Sequence, residues 1–442
     1  MCEGKGRNGF SHRDPIRHMQ IRYLDEMEED QREVILKRYQ VNQEIRESVR
    51  NIINNVREEG DVALRRYALE FDNVELEDID ITEKARLAYE DIDEEIKLSI
   101  KSAAENIEAF HVRQLREDWI ENFDGREMGQ RFRAINKIGV YVPGGTASYP
   151  SSVLMAVIPA KVAGVGHISM VTPAAKSLNQ VTLAAAYIAG VDKIYAAGGA
   201  QGIAALAYGT KTIEPVDKII GPGNHWVATA KKEVRDDVDI EFIAGTSEIL
   251  IIADSTAKPE IVASDLVAQA EHDVNVAALL VTNSMELSKK VAEEIEIQTE
   301  LLCRKEIIDQ SLSKPYSGIF VANSIEDAAE FAEEYAPEHL SIQTSEKNEK
   351  LVLEKIGSAG SIFLGTYAPV AAGDYASGTN HILPTNQGAR ITGGVSIDTF
   401  IKISTIQRLD KEALEKIRNV VTTIAMSEGL DGHAKSIDHR FD

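Results

Sequence analysis

Apolar residues recur at three- and four-residue steps from Val34 to Trp119. Ile45, Val49, Ile52, Ile53 and Val56 mark one face, and Ile96, Ile100, Ala103, Ile107 and Phe110 another. That period predicts amphipathic helices with acidic outer faces, interrupted at Gly60-Asp61. Residues 1–34 are polar and charged and show no strong core pattern. The texture changes near Arg131. Strand-like runs at Ile138 to Val142, His167 to Thr172, Lys193 to Ala197 and Val216 to Ile220 alternate with helical ones at Asn179 to Ala189, Ala200 to Ala207 and Asn224 to Val234. A second series follows. Its strands are Ile249 to Ala253, Ala277 to Thr282, Gly318 to Ala322, Leu340 to Gln343 and Ser361 to Leu364. Its helices are Pro259 to Glu271, Met285 to Leu302 and Ile325 to Tyr335. Such alternation predicts parallel sheets covered by helices, here as two α/β units in tandem. Gly365 to Gly394 is Gly- and Pro-rich, the composition of a long functional loop. Lys411 to Met426 reads as a helix with a polar tail after it.

Composition narrows the class. The 442 residues are 43% hydrophobic and carry a formal charge of −23. That is enough apolar material for two or three globular domains, and an acidic balance that disfavours a nucleic-acid partner. No run is long and apolar enough for a membrane span; Val153 to Val171 is broken by Pro159, Lys161, Gly164, Gly166 and His167. The N-terminus has no apolar signal-peptide core. Two cysteines, Cys2 and Cys303, make neither a disulfide framework nor a Cys-rich zinc module. A reducing cytoplasm is the simplest setting, and any metal site must draw on His, Asp, Glu or amide oxygen.

Candidate chemistry gathers late in the chain. Gln269 and His272 lie three apart near the end of a predicted helix and share a face. Imidazole and amide oxygen are both donors for zinc, while a histidine there also suits the helix dipole. Glu338-His339 places two proton acceptors at a helix-to-strand junction, or simply a solvated pair. The glycine-framed run Gly373-Asp374-Tyr375-Ala376-Ser377-Gly378-Thr379-Asn380-His381 offers Asp374 as a hard metal ligand. Glu428 to His433 is by itself a polar tail. Two glycine turns, Gly198-Gly199-Ala200-Gln201 and Gly221-Pro222-Gly223-Asn224, follow strands and open helices. Such turns suit phosphate, although neither is G-x-G-x-x-G.

Together with Tyr141-Val142-Pro143-Gly144-Gly145, these motifs occur in the order seen in histidinol dehydrogenases, and the chain resembles that family from about Val34 to His433. The resemblance implies oxidation of L-histidinol through L-histidinaldehyde to L-histidine with two NAD+. It implies zinc on Gln269, His272, Asp374 and His433, the last from the partner of a cytoplasmic homodimer. His339 is implied as the base of the first oxidation and Glu338 as the residue that activates water for the second. Ser247, Glu428 and His381 fall at substrate positions; Tyr141, Gln201 and Asn224 fall at NAD positions.

The fold implied is α/β, two tandem Rossmann-like units of atypical, incomplete kind, with helical N-terminal and small C-terminal segments. Its divisions are an arm at 1–34, a main domain at 35–140 and 246–395, an NAD-binding domain at 141–245, and a C-terminal domain at 396–442 that completes the partner's site. The chain departs from the family pattern at Thr246, usually proline, and at Asn386-Gln387-Gly388, usually richer in glycine. Two alternatives stand beside this reading. One is a relative oxidising another polar alcohol, such as a sulfonated diol. The other is a zinc hydrolase with Glu338 as base.

Overall fold

The computed structural model describes residues 19–38, 43–144, 149–175, 178–243 and 245–442. Residues 1–18 of the N-terminal arm, Cys2 among them, and Gly145 of the first glycine turn lie outside these.

Two parallel sheets carry the fold. The first has the order Lys193–Ala196, His167–Thr172, Lys137–Tyr141, Lys218–Ile220, Asp239–Ile240. In chain order this is 3-2-1-4-5, a doubly wound arrangement whose switch point lies between Lys137–Tyr141 and Lys218–Ile220. The second repeats that order with Gly318–Val321, Ala277–Thr282, Glu248–Ala253, His339–Gln343 and Ser361–Leu364. Its central strands are apolar on both faces. Ile249, Ile251 and Ala253 pack under the helices Pro259–Ala270, Met285–Thr299 and Lys305–Leu312, while Leu250 and Ile252 pack under Ile325–Tyr335 and Glu346–Lys355. The α/β class and the tandem repetition expected from the alternation are therefore observed.

Three features of the domain division differ. Within the N-terminal arm, Ile21–Tyr23 adds a sixth parallel strand beside Gly318–Val321, and the helix Glu29–Leu36 runs across the arm's boundary to bury Ile35, just beyond it, in the second sheet's core. Three strand residues and one buried helix residue are too few to show a period. Residues 43–112, grouped above with 246–395, instead cover the first sheet. Val49, Ile52 and Val56 pack with Ile203 and Val227, and Ala85, Ala103 and Ile107 with Val153 and Leu183. Lys137–Tyr141 is that sheet's central strand, although the boundary drawn at 140/141 cuts through it. The expectation of helix up to Trp119 gives way there to an antiparallel sheet. Trp119–Phe123 and Ile401–Leu409 flank Arg126–Ala134, which ties the C-terminal segment to the middle of the chain. The polar tail continues as the helix Asp431–Asp438. Among the described residues no helix is long and apolar enough to cross a membrane.

Candidate active site

The carboxyl ends of the first sheet and the amino ends of the second line one cavity of about 1170 Å³. That opposition explains how a junction leading into a strand, Glu338-His339, reaches a cleft.

The first sheet contributes Tyr141, Gln201 and Asn224. Tyr141 ends its strand, and its buried hydroxyl accepts the Gly199 N–H at 3.2 Å; burial pushes the phenol up to about 12. Asn224 caps the helix His225–Val234, its side-chain oxygen accepting from Trp226 and Val227. Gly221 has φ 119°, and a Cβ there would lie 2.1 Å from the Tyr141 carbonyl oxygen. Only glycine lets these two backbone segments approach so closely.

The second sheet contributes Ser247, Gln269, His272, Glu338 and His339. Pro259 opens the helix whose far end holds Gln269, and His272 lies just past that end. His272 lines the cavity at an exposed position, and desolvation by the surrounding protein lowers its pKa. Glu338 and His339 are buried. The Glu338 carboxylate accepts the Glu248 N–H at 2.7 Å, and His339 Nδ1 donates to the Glu248 carbonyl at 2.9 Å. A carbonyl partner requires the proton on Nδ1. His339 Nε2 is buried and has no hydrogen-bond partner. Burial raises the Glu338 carboxyl; burial also opposes the charged His339 ring, but the Glu338 carboxylate, Oε2 3.5 Å from Nδ1, outweighs it and brings the imidazole up to about 9.

The glycine-framed loop contributes Asp374 and His381. His381 Nδ1 donates to the Asp374 carbonyl at 2.9 Å. Burial lowers the His381 pKa. Asp374 Oδ1 lies 3.9 Å from His339 Nε2. Gly378, φ 107°, lets the loop touch the helix Glu94–Val112, where a Cβ would meet the Asn106 carbonyl at 2.6 Å.

Ten of the twelve residues singled out from the sequence thus line one cavity. Glu428 and His433 do not; they are exposed on the C-terminal helices. Gln269, His272 and Asp374 supply an amide oxygen, an imidazole and a carboxylate, a donor set that fits a divalent ion in chemistry. Among the described residues, no three His, Cys, Asp or Glu side chains form a metal-holding group.

Sequence reasoning missed two residues behind the site. Glu248 begins an otherwise apolar strand, and its carboxylate forms a buried ion pair with Arg38, Nε to Oε1 2.7 Å. An acidic residue opening such a run was a signal that a partner existed. Arg38 gave none.

The family model described as histidinol dehydrogenase matches residues 36–441. A histidinol dehydrogenase of Haloarcula marismortui is 52% identical over 424 residues, covering 96% of this chain and all of that protein. One from Clostridium acetobutylicum is 49% identical over 90% of this chain and 93% of its own. The crystal structure of histidinol dehydrogenase from Elizabethkingia anophelis superposes with a TM-score of 0.91 at 38% identity, covering 96% of this chain and 98% of that one. The chain belongs to the histidinol dehydrogenase family of oxidoreductases.

Proposed function

We propose that this enzyme oxidises L-histidinol to L-histidine through L-histidinaldehyde, using two NAD+ and a zinc ion in a homodimer with shared sites. The observation that carries the reading is His339 Nε2, a buried, unpartnered nitrogen at the cavity that also holds Gln269, His272 and Asp374.

The overall change is R–CH2OH + 2 NAD+ + H2O → R–COO− + 2 NADH + 3 H+. Each oxidation removes a hydride from the carbon and a proton from a hydroxyl oxygen bound to it. His339 Nε2 takes the hydroxyl proton of the alcohol, its ring held in the Nδ1–H tautomer by the Glu248 carbonyl. Glu338 takes a proton from the water that adds to the aldehyde, giving the hydrate's monoanion, from which the second hydride leaves to give the acid. Its buried, raised carboxyl makes it a stronger base once ionised than an exposed glutamate.

Gln269, His272 and Asp374 would hold zinc with His433 of a second copy; zinc supplies a fixed anchor for the substrate's nitrogen atoms. Tyr141, Gln201 and Asn224 would contact NAD+, which supplies the hydride acceptor. The Gly221 turn at the switch point and the helix it opens suit a pyrophosphate. His381 braces the Asp374 loop, and Ser247 and Glu428 are assigned to substrate.

The test is NADH formation by zinc-loaded protein given L-histidinol and NAD+, with a chelator control. Two NADH per histidinol, lost on chelation, is the expected result. No NADH from folded, zinc-loaded protein would overturn the reading and turn the search to another polar alcohol, such as a sulfonated diol.

A further inference from the structure

Glu248 stands behind both proposed proton acceptors at once. Its N–H donates to the Glu338 carboxylate at 2.7 Å and its C=O accepts from His339 Nδ1 at 2.9 Å. The residue itself is locked by its side chain. The carboxylate, 2% exposed, is gripped by both Nε and Nη2 of Arg38, 4% exposed, and also accepts the Asn386 N–H at 2.8 Å. Arg38 is fixed in turn. Its guanidinium stacks 3.7 Å from the Tyr335 ring centroid and donates to the Leu36 carbonyl at 3.1 Å. The chain segments in this cluster come from four places: the segment after Glu29–Leu36, the start of Glu248–Ala253, the end of Ile325–Tyr335, and the Asn386-Gln387 turn.

We propose that Glu248 is a positioning residue for the reaction, and that its buried pairing with Arg38 sets the aim of Glu338 and His339 together. This rests on the reading of those two residues as the proton acceptors. An ordinary structural ion pair needs no contact with reacting groups; here the paired residue's own backbone holds both. The bidentate fork matters because it fixes the carboxylate plane, and through it the Cα from which both backbone groups project. Misplacing a reacting group by about 1 Å is enough to cost on the order of a hundredfold in rate.

Because one residue holds both groups, disturbing it must slow both half-reactions. In zinc-loaded Glu248→Gln, kcat is expected to fall about tenfold or more for histidinol and for histidinaldehyde in similar proportion, with KM for each within about twofold. The hydrogen-bonded Nδ1–H proton of His339, seen in 15N-histidine-labelled apoprotein and assigned by its loss in His339→Asn, is expected to shift or broaden. A purely structural role would lower thermal stability and leave both that resonance and kcat per folded dimer in place. Should Glu248→Gln or Arg38→Met fail to fold, the double variant Arg38→Met/Glu248→Gln removes both buried charges and leaves neither unpaired. It is expected to fold and to remain slow in both half-reactions.

The inference is overturned if folded Glu248→Gln or the double variant keeps kcat within about twofold in both half-reactions, or if only KM changes. His339→Asn separates the two levels. If that variant still oxidises histidinol normally, the site reading itself fails; if it is inactive while Glu248→Gln is unimpaired, only the positioning role fails.

Discussion

Lys231 and Glu241 form an ion pair buried beneath the Gly221 turn, Nζ to Oε1 2.6 Å, with side chains 4% and 1% exposed. Lys231 Nζ also donates to the Gly221 carbonyl at 2.7 Å, and Glu241 Oε1 accepts the Gly221 N–H at 2.8 Å. The pair grips both sides of the residue that opens the proposed phosphate turn. Removing one partner leaves the other charge buried, at a cost of about 3 kcal/mol or more. Lys231→Met is therefore expected to lower the unfolding free energy by that order and to raise KM for NAD+ about tenfold, with KM for histidinol nearly unchanged. Denaturant titration and initial rates check the two effects. A variant with unaltered KM for NAD+ would sever the link between the clamp and the turn.

The proposed roles give separate tasks to His339, whose buried Nε2 has no hydrogen-bond partner, and to Glu338, whose carboxylate accepts the Glu248 N–H. His339→Asn is expected to slow histidinol oxidation by about 10²-fold or more, the usual scale of a lost general base. Glu338→Gln should spare that step and block oxidation of the aldehyde. Assaying histidinol and histidinaldehyde separately checks this. Equal losses in both half-reactions for both variants would contradict the division.

The second sheet shares the first sheet's strand order, yet its own switch point is closed from within. The Asp254 carboxylate, following Glu248–Ala253, accepts from Ser345 N at 2.9 Å and Asn348 Nδ2 at 2.7 Å at the start of the helix Glu346–Lys355, and from Thr256 N at 2.9 Å. It takes the place an anionic ligand occupies at such a helix terminus. Burial opposes its charge, and these donors outweigh burial and bring its pKa down to about 2. An aspartate with a lowered folded pKa stabilises above its unfolded value near 3.8 and loses that contribution as pH falls toward 2. Wild type should therefore exceed Asp254→Asn in stability at pH 7 by at most about 2 kcal/mol, less where water screens the charge. The gap should shrink between pH 4 and pH 2. Paired denaturation curves across that range measure it; a gap independent of pH would show that charge plays no part.

Strands bounded by glycine, proline or charge were legible because both faces are apolar and the runs are short. His167–Thr172, Ala277–Thr282 and Ser361–Leu364 fall at the expected residues. The helix Pro150–Ala163 was not read, since Ser152 to Ala160 are all buried, Pro159 lies inside it, and no face contrasts with another. The exposed hairpin of Trp119–Phe123 and Arg126–Ala134 offered one cue, Asp124-Gly125, both at positive φ as a two-residue turn requires. Site motifs were readable because each packs several functional groups into a few residues. The Arg38–Glu248 clamp was not, because its members are 210 positions apart and meet only when the second sheet forms. The Asn386-Gln387 departure also acquires a meaning in three dimensions. Both residues have positive φ, the backbone that glycine adopts freely.

His433 is the residue whose role most depends on a second copy. It is exposed on Asp431–Asp438, away from the cavity that holds Gln269, His272 and Asp374. On the preceding helix, Val420, Ile424 and Met426 are exposed as well, apolar surface that a dimer contact would cover. If the fourth zinc ligand comes from the partner, His433→Asn should lose zinc and activity in the homodimer. His272→Asn should do the same. A mixed dimer of the two variants then contains one site with His272 from one chain and His433 from the other, both native, and one site lacking both. About half of the wild-type activity and one zinc per dimer should return in such heterodimers, purified by two tags and checked by metal analysis. Sites built within single chains would leave every site of that heterodimer defective, so an inactive, zinc-poor heterodimer of verified composition would exclude the shared site.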